Sequence, residues 1–165
     1  MAGDLLFRKP SIAVIQGDSE PMYGVVAATA TVTYLKPGKL LSMLTNTGEV
    51  DIAGEADASF NLGILGYEYT PDEYRPATRD TIYAVGDHVA IHAKPGMRFR
   101  GFLMNSAAVN PGDTLYHSMA DTSGNFTKWT STAVATDAAI PLAKAMEVAA
   151  SSSGTSPVEC WMEWL

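Results

Sequence analysis

Three histidines are the side chains best suited to metal binding or general-base chemistry: His88, His92 and His117. His88 and His92 are four residues apart in segment 85–93, whose alternating pattern predicts a β-strand. Four residues of strand span about 13 Å, whereas the ligands of one zinc ion each lie roughly 2.1 Å from the metal. We therefore expect no shared metal, and two histidines on a solvated or subunit-facing sheet surface.

A hydrolase would need a nucleophile beside a histidine and a carboxylate. His117 with Asp87 or Asp113 could supply the last two, but no Gly-x-Ser-x-Gly motif is present to activate Ser118. The remaining carboxylates are scattered, so their spacing identifies no acid–base pair. This enzyme class stays an alternative without a named nucleophile.

Nucleotide and thiol chemistry are also poorly supported. Pro37-Gly38-Lys39 resembles the end of a phosphate-binding loop, but Leu40 replaces the Ser or Thr, and Thr33 stands where the first glycine should be. Cys160 has no second thiol to pair with, so we expect a small buried apolar side chain. We predict no catalytic residue, no metal and no cofactor.

Among the charged residues, the basic ones have positions that follow a pattern along the sequence. Five of the 11 basic residues fall within 26 positions: Arg75, Arg79, Lys94, Arg98 and Arg100. One interpretation is a solvated strand face, and the other is a patch that fixes register against an acidic partner or a neighbouring subunit. The leader Leu5, Leu6, Phe7, Arg8 and Lys9 is apolar and basic without periodicity, so it could add to a partner's sheet edge or be disordered.

A third kind of site is a sugar-stacking platform. Four tyrosines, Tyr67, Tyr69, Tyr74 and Tyr83, could form one, which would make the chain a carbohydrate-binding β-barrel module. Alternating tyrosines are also typical of half-buried sheet positions, where the ring packs and the hydroxyl stays wet. The sequence leaves both interpretations open.

The elements that must position these residues are mostly strands. The chain has 165 residues, a size typical of one domain with a real core. Short β-branched or alternating segments follow turns that contain Gly, and they predict a strand over 25–35 and others near 39–44, 60–69, 85–93, 97–103, 114–118 and 158–165. Segment 70–80 has two prolines and is predicted to be irregular. Segment 140–150 is ambiguous, because its local propensity favours a helix whereas the segment after it predicts a terminal hairpin.

Composition excludes several classes of protein. The net charge is −7, from 11 Lys plus Arg and 18 Asp plus Glu, which argues against a protein that coats DNA. Only 18% of residues are charged, and a weakly charged polar surface often faces other subunits. The N-terminus lacks the basic and apolar regions of a secretion signal. The longest weakly polar run, 24–35, is well short of the roughly 20 apolar residues of a membrane helix.

Two Gly-Asp turns repeat at a spacing of 26 residues: Val85-Gly86-Asp87-His88-Val89 and Pro111-Gly112-Asp113-Thr114-Leu115. Glycine supplies the positive φ that a tight turn often needs, and aspartate can bond nearby backbone amides. We interpret the similarity as repeated turn chemistry and not as a duplicated domain.

The order of segments resembles that of small β-barrel capsid decoration (cement) proteins of tailed bacteriophages. The segments that carry the resemblance are 35–41, 64–67, 83–91, 109–116 and 140–147, and it covers residues 35 to 165. In that family the last of these segments is a strand that leads into a terminal hairpin. The resemblance therefore implies strand, where local propensity favours helix.

The resemblance implies a mainly β fold: a compact antiparallel barrel or sandwich at 23–165, with little helix and an extended N-terminal arm at 1–22. It also implies a structural virion protein without catalytic residues, made in the host cytoplasm and bound to the outer capsid surface where capsomers meet. Its partners would be the major capsid protein and itself, with a homotrimer favoured over a dimer, and neither nucleic acid nor membrane. The candidate contact residues are Leu5, Leu6, Phe7, Arg8, Lys9, Arg75, Arg79, Arg98 and Arg100.

Overall fold

The structure is a computed structural model that describes residues 15–16, 21–44, 47–53, 62–66, 82–104, 108–117, 123–128, 141–150 and 156–165. Within these ranges the chain forms eleven strands and one 3₁₀ turn, Val32–Tyr34, so the predicted mainly β fold is confirmed. The strands are β1 (Ile15–Gln16), β2 (Met22–Val26), β3 (Leu40–Met43), β4 (Glu49–Ile52), β5 (Leu62–Leu65), β6 (His88–His92), β7 (Arg98–Leu103), β8 (Thr114–His117), β9 (Phe126–Lys128), β10 (Pro141–Ala145) and β11 (Val158–Trp164). None of the helical structure in the described ranges is long and apolar enough to cross a membrane.

The strands form two closed arrangements, which follow each other along the chain. The first, here called the N-terminal barrel, has the strand order β2-β4-β3-β5-β6 and closes on itself. The second sheet has the order β1-β7-β11-β10-β8-β9, and β9 also pairs with β7 through Phe126 and Leu103. That pairing closes the five strands β7, β8, β9, β10 and β11 into a second ring, here called the C-terminal ring. Closure leaves few strand edges free for unwanted pairing.

Strands β3 and β5 form the wall between the two rings, because both of their faces are buried. Leu40 and Ile64 are fully buried in the same core as Phe99 of the C-terminal ring. Their sequence neighbours Leu41 and Leu65 point the other way and belong to the core formed by the barrel's own strands. The alternation of side chains along a strand therefore lets four residues serve two cores at once.

The two Gly-Asp turns have the same hydrogen bonds, which supports their interpretation as repeated turn chemistry. The Asp87 carboxylate accepts a bond from the Ala84 N–H (2.7 Å), and the Asp87 N–H donates to the Ala84 carbonyl (3.1 Å). Asp113 makes the same pair of bonds with Asn110, at 2.8 Å and 3.1 Å. Each aspartate thus closes the turn that introduces its strand, β6 in one case and β8 in the other.

The prediction of a strand over 25–35 is wrong after Val26, where β2 ends. The chain then bends through local backbone bonds, from the Ala30 N–H to the Ala27 carbonyl (3.0 Å) and from the Leu35 N–H to the Val32 carbonyl (3.0 Å). Leu35 is fully buried in the core of the N-terminal barrel. Tertiary packing of this leucine and the local turn bonds outweigh the strand preference of the Thr and Val residues between them.

Within segment 140–150, residues 141–145 form a strand where local propensity favours a helix. Residues Pro141–Ala145 form β10, which pairs antiparallel with β8 and with β11. Leu142, Ala143 and Ala145 are buried in the larger core. The two flanking strands supply hydrogen bonds to the backbone of β10. These bonds and the burial of the three side chains outweigh the local preference for a helix. The strand implied by the family resemblance is confirmed, and the helix favoured by propensity is wrong.

The other predicted strands contain observed ones: β3, β5, β6, β7, β8 and β11 each lie in a segment predicted from its alternation. The predicted irregular stretch 70–80 lies outside the described residues. The N-terminal arm stays a prediction: residues 15–16 pair antiparallel with Phe99 and Arg98 of β7, and most of the rest of 1–22 lies outside the described ranges.

Candidate functional site

Of the nine candidate contact residues, the structure describes two. Arg98 and Arg100 lie on β7, whereas Leu5, Leu6, Phe7, Arg8, Lys9, Arg75 and Arg79 are outside the described ranges. The predicted alternation of β7 is confirmed: Phe99 is fully buried, and the two arginines lie on the opposite face.

Both arginines have glutamate partners on the neighbouring strand β11. Arg98 Nε lies 3.6 Å from Glu163 Oε2, and Arg100 Nε lies 2.8 Å from Glu159 Oε2. The register explains the first pair, because Arg98 and Glu163 are directly opposite each other. The second pair is diagonal, since Trp161 is the residue opposite Arg100. The outer face of β7 and β11 is therefore a ladder of two ion pairs around a tryptophan.

Sequence reasoning found the positive half of this ladder and missed the negative half. Glu159, Trp161 and Glu163 alternate in the C-terminal segment, which was a usable signal, but their pairing with β7 is set by tertiary structure. Exposed ion pairs of this kind contribute about 0–1 kcal/mol each. The Arg98 side chain is 57% exposed, so the rest of its guanidinium can still bind an acidic acceptor.

The histidines occupy three different environments. His88 is exposed at the start of β6, as predicted, whereas His92 at its end is fully buried, so the predicted surface position is wrong for His92. A Cβ atom at position 66 would come within 2.7 Å of His92 Nε2, so this imidazole packs closely against the Gly66 backbone. His117 is also buried, opposite Phe126. In the ranges that the structure describes, no three His, Cys, Asp or Glu side chains are grouped so that they could hold a metal ion.

The carboxylates proposed for a hydrolase are engaged in their own turns. Asp113 accepts from the Asn110 N–H (2.8 Å) and from Lys128 Nζ (2.7 Å). These contacts lower the pKa of Asp113, chiefly through the Asn110 hydrogen bond and then through Lys128. Asp87 accepts from the Ala84 N–H. Neither carboxylate bonds His117, so the structure does not bring the predicted His and Asp together.

Tyr83 cannot belong to a sugar-stacking platform, because its ring is buried. Only 1% of the residue is exposed, and its hydroxyl donates to the Gly66 carbonyl at 3.4 Å. It packs in the core of the N-terminal barrel. The other three tyrosines of that hypothesis, Tyr67, Tyr69 and Tyr74, lie outside the described residues.

Cys160 is the buried apolar residue that the sequence predicts. The side chain is fully buried in the C-terminal ring. Burial, and after it the nearby Glu147 carboxylate, raise the pKa of the Cys160 thiol from 9.0 to about 11. A thiol held in this protonated form is a poor nucleophile at neutral pH.

A cationic cluster around a buried lysine, at the junction of the two rings, was missed by sequence reasoning. Lys39, only 2% exposed, donates from Nζ to Asn125 Oδ1, and Asn125 is 1% exposed. The Lys39 ammonium lies 4.7 Å from the centre of the Phe102 ring, and Lys36 Nζ lies 4.5 Å from the same centre. The sequence placed Lys39 only at the end of an incomplete phosphate-binding pattern. No local signal connects it with a residue 86 positions away.

No protein-family model matches the sequence, and a search of the curated proteins finds no match. Among solved structures, the chain is similar to the N base of the head fiber gp8.5 of bacteriophage phi29, known from a crystal structure. The sequences are 10% identical and the TM-score is 0.46, with 90% of this chain and 95% of that chain covered.

Proposed function

We propose that this chain is a structural virion protein of the capsid decoration class. It binds the outer surface of the expanded head of a tailed bacteriophage where capsomers meet, and it stabilises the shell. The observation that carries the proposal is the terminal hairpin of β10 and β11. Local propensity favours a helix over that segment and the alternation after it allows a hairpin, whereas the resemblance to decoration proteins implies the strand that is observed.

The order of elements gives further support. The segments that carry the resemblance contain, in sequence, the strands β3, β5, β6, β8 and β10. Three of these strands, β3, β6 and β8, follow a turn with a glycine of positive φ. Turn-plus-strand units are common in β proteins, so the support for the decoration class comes from the order of these units and not from any single unit.

The described surface suits attachment by side chains more than by strand addition. Ring closure leaves few strand edges free for a capsid strand to join. The ladder of Arg98, Arg100, Glu159 and Glu163 presents both signs of charge, which can fix the register of a protein partner. Large apolar side chains also reach solvent, among them Val148 at 67% and Tyr23 at 60% exposure. Such residues can provide the apolar contacts of an interface.

Stabilisation would follow from differential affinity. A protein that bridges capsid subunits only in their expanded arrangement adds its binding free energy to that state alone. This role needs the major capsid protein and further copies of this chain as partners, and we favour a homotrimer over a dimer. It requires no catalytic group, cofactor, nucleic acid or membrane.

The test is binding to purified heads that lack the protein. We expect co-sedimentation with expanded heads, little binding to unexpanded heads, and greater resistance of the decorated heads to heat or chelators. Light scattering of the free protein tests the homotrimer separately. If expanded heads bind none of the protein and their resistance is unchanged, the proposal is wrong.

A charge reversal locates the contact. Arg98→Glu should weaken binding to heads and reduce its dependence on salt, because the arginine is exposed on the candidate face. Lys144→Glu is the matched control: it makes the same charge change at an exposed position of β10, and the candidate set does not contain it. Equal effects of the two variants would show that net charge alone matters and that the β7 contact is wrong.

A further inference from the structure

Lys39 and Asn125 form a buried pair whose side chains can react with each other. Lys39 Nζ donates a hydrogen bond to Asn125 Oδ1, and both residues are almost fully buried. The oxygen that accepts this hydrogen bond is attached directly to Asn125 Cγ, the carbonyl carbon of a primary amide, so the amine lies next to that carbon. A desolvated lysine amine is an activated nucleophile, and such a carbon is its natural target.

The backbone holds the two side chains in place. The residue after Lys39 and the residue before Asn125 are joined by a hydrogen bond from the Leu40 N–H to the Gly124 carbonyl (2.9 Å). A Cβ atom at position 124 would come within 2.6 Å of the Leu40 carbonyl oxygen, so the two backbones are in close contact. Fixing two reactants in this way removes most of the entropy cost of their encounter.

The leaving group also has a partner. Asn125 Nδ2, the nitrogen that would depart, donates to Ser123 Oγ at 3.0 Å, and Ser123 is 8% exposed. A hydroxyl both donates and accepts, so Ser123 can pass a proton to this nitrogen as its bond to carbon breaks. The buried Phe102 ring, centred 4.7 Å from Lys39 Nζ, forms an apolar wall beside the amine, and the amide is itself buried, since Asn125 is 1% exposed.

We propose that Lys39 and Asn125 form an intramolecular isopeptide bond. The Lys39 ammonium first passes a proton to Asn125 Oδ1, its hydrogen-bond acceptor, which frees the lone pair of Nζ and activates the carbonyl. A bond then forms between Lys39 Nζ and Asn125 Cγ, the bond between Cγ and Nδ2 breaks, and the departing nitrogen takes up the two protons lost by the lysine nitrogen. Starting from the lysine ammonium, the products are a secondary amide and an ammonium ion, so atoms and charge balance without another reactant. Ser123 touches the departing nitrogen and is the catalytic residue that we assign.

The bond would join the two rings covalently. Lys39 lies directly before β3 of the N-terminal barrel, and Asn125 lies directly before β9 of the C-terminal ring. The link would close a loop between positions 86 residues apart, and long closed loops restrict the unfolded chain most. This inference does not depend on the proposed virion role.

Intact mass spectrometry of the purified full-length protein tests the bond directly. We expect a mass below that of the sequence by one ammonia, and a proteolytic fragment in which the Lys39 peptide and the Asn125 peptide are joined. Lys39→Arg should restore the full mass, because a guanidinium does not form this amide. Asn125→Asp should instead lose one water when the bond forms.

Two results would overturn the proposal. The first is a wild-type mass equal to that of the sequence after prolonged incubation of the folded protein. The second is a loss of ammonia that persists in Lys39→Arg, since it would come from cyclisation of an asparagine and not from the lysine. The wild-type mass decides the question even if a variant fails to fold. Ser123→Ala should slow the loss of ammonia without changing the final product.

Discussion

Two Lys-Pro-Gly turns offer a matched test of how closely the two rings approach. Gly38 lies in turn 36–39 and Gly96 in turn 94–97, with φ of +91° and +79°. Each turn is closed by a backbone hydrogen bond from its fourth residue to its first, at 3.2 Å and 3.0 Å. Alanine at either position therefore meets the same backbone conformation after the same proline.

The surroundings of the two glycines differ. A Cβ atom at position 38 would overlap the Arg100 carbonyl oxygen and lie 3.2 Å from Phe102 Cε2. A Cβ atom at position 96 would meet nothing within 4 Å. The Arg100 backbone cannot easily move away, because Arg100 is paired with Trp161 inside the β7–β11 ladder.

These differences set the expected magnitudes. Gly96→Ala should cost about 1–2 kcal/mol, the usual penalty for an L-residue in the left-handed region. Gly38→Ala bears the same penalty plus about 1–3 kcal/mol for forcing a methyl group into a packed junction. We therefore expect the second variant to be less stable than the first by roughly 2 kcal/mol.

Urea unfolding at pH 7, followed by tryptophan fluorescence and by circular dichroism, measures the free energy of unfolding of both variants. Coincident transitions would justify a two-state comparison. Equal losses of stability in Gly38→Ala and Gly96→Ala would refute the reasoning, because the close approach of the rings at Arg100 would then have no energetic consequence.

Three further predictions concern single side chains. The pKa of Cys160 is raised from 9.0 to about 11. The neutral buried thiol therefore contributes its full stability below pH 9, and this contribution is lost as the pH rises through 11. Cys160→Ala should lessen the fall in the free energy of unfolding, measured in urea, over that range. Because the pKa of Asp113 is lowered from 3.8, its contribution is present above pH 3.8 and is lost as the pH falls below that value; Asp113→Asn should cost about 1 kcal/mol at pH 7 and progressively less in acid, measured by unfolding at each pH. A double-mutant cycle with Arg100→Ala and Glu159→Ala should give a coupling of about 0.2–1 kcal/mol that decreases in high salt.

Each of these predictions has a result that contradicts it. Parallel pH profiles for wild type and Cys160→Ala would mean that thiolate formation does not limit stability in alkali. A constant penalty for Asp113→Asn from neutral to acid pH would mean that the carboxylate charge is unimportant in the turn. A coupling near zero between Arg100 and Glu159 would reduce their ion pair to a contact without energetic weight.

Much of the strand pattern could be read from the sequence because its causes are local. Glycine after proline or valine permits the positive φ of a tight turn, and the aspartates at 87 and 113 bond the backbone three residues earlier. Alternating apolar residues then determine which face of β7 is buried. The single thiol is buried as expected, since a small apolar side chain fits a core without a partner.

Where the local conformational preference of a segment conflicts with its tertiary contacts, the tertiary contacts determine its conformation. The residues after Val26 have strand propensity but turn, because Leu35 is buried in the barrel core. Segment 141–145 has helix propensity but pairs with two strands. Intrinsic preferences of a few tenths of a kcal/mol per residue are smaller than the free energy of burying several side chains.

The candidate sites divide in the same way. The sequence by itself determined the closed turns, the alternation of the strands, the acidic balance and the arginines on one face of β7. Only the tertiary structure decided that those arginines have glutamate partners on β11 and that Lys39 lies against Asn125. The physical reason is distance along the chain: turn chemistry acts over three or four residues, whereas these contacts join residues tens of positions apart that meet only when both rings have closed.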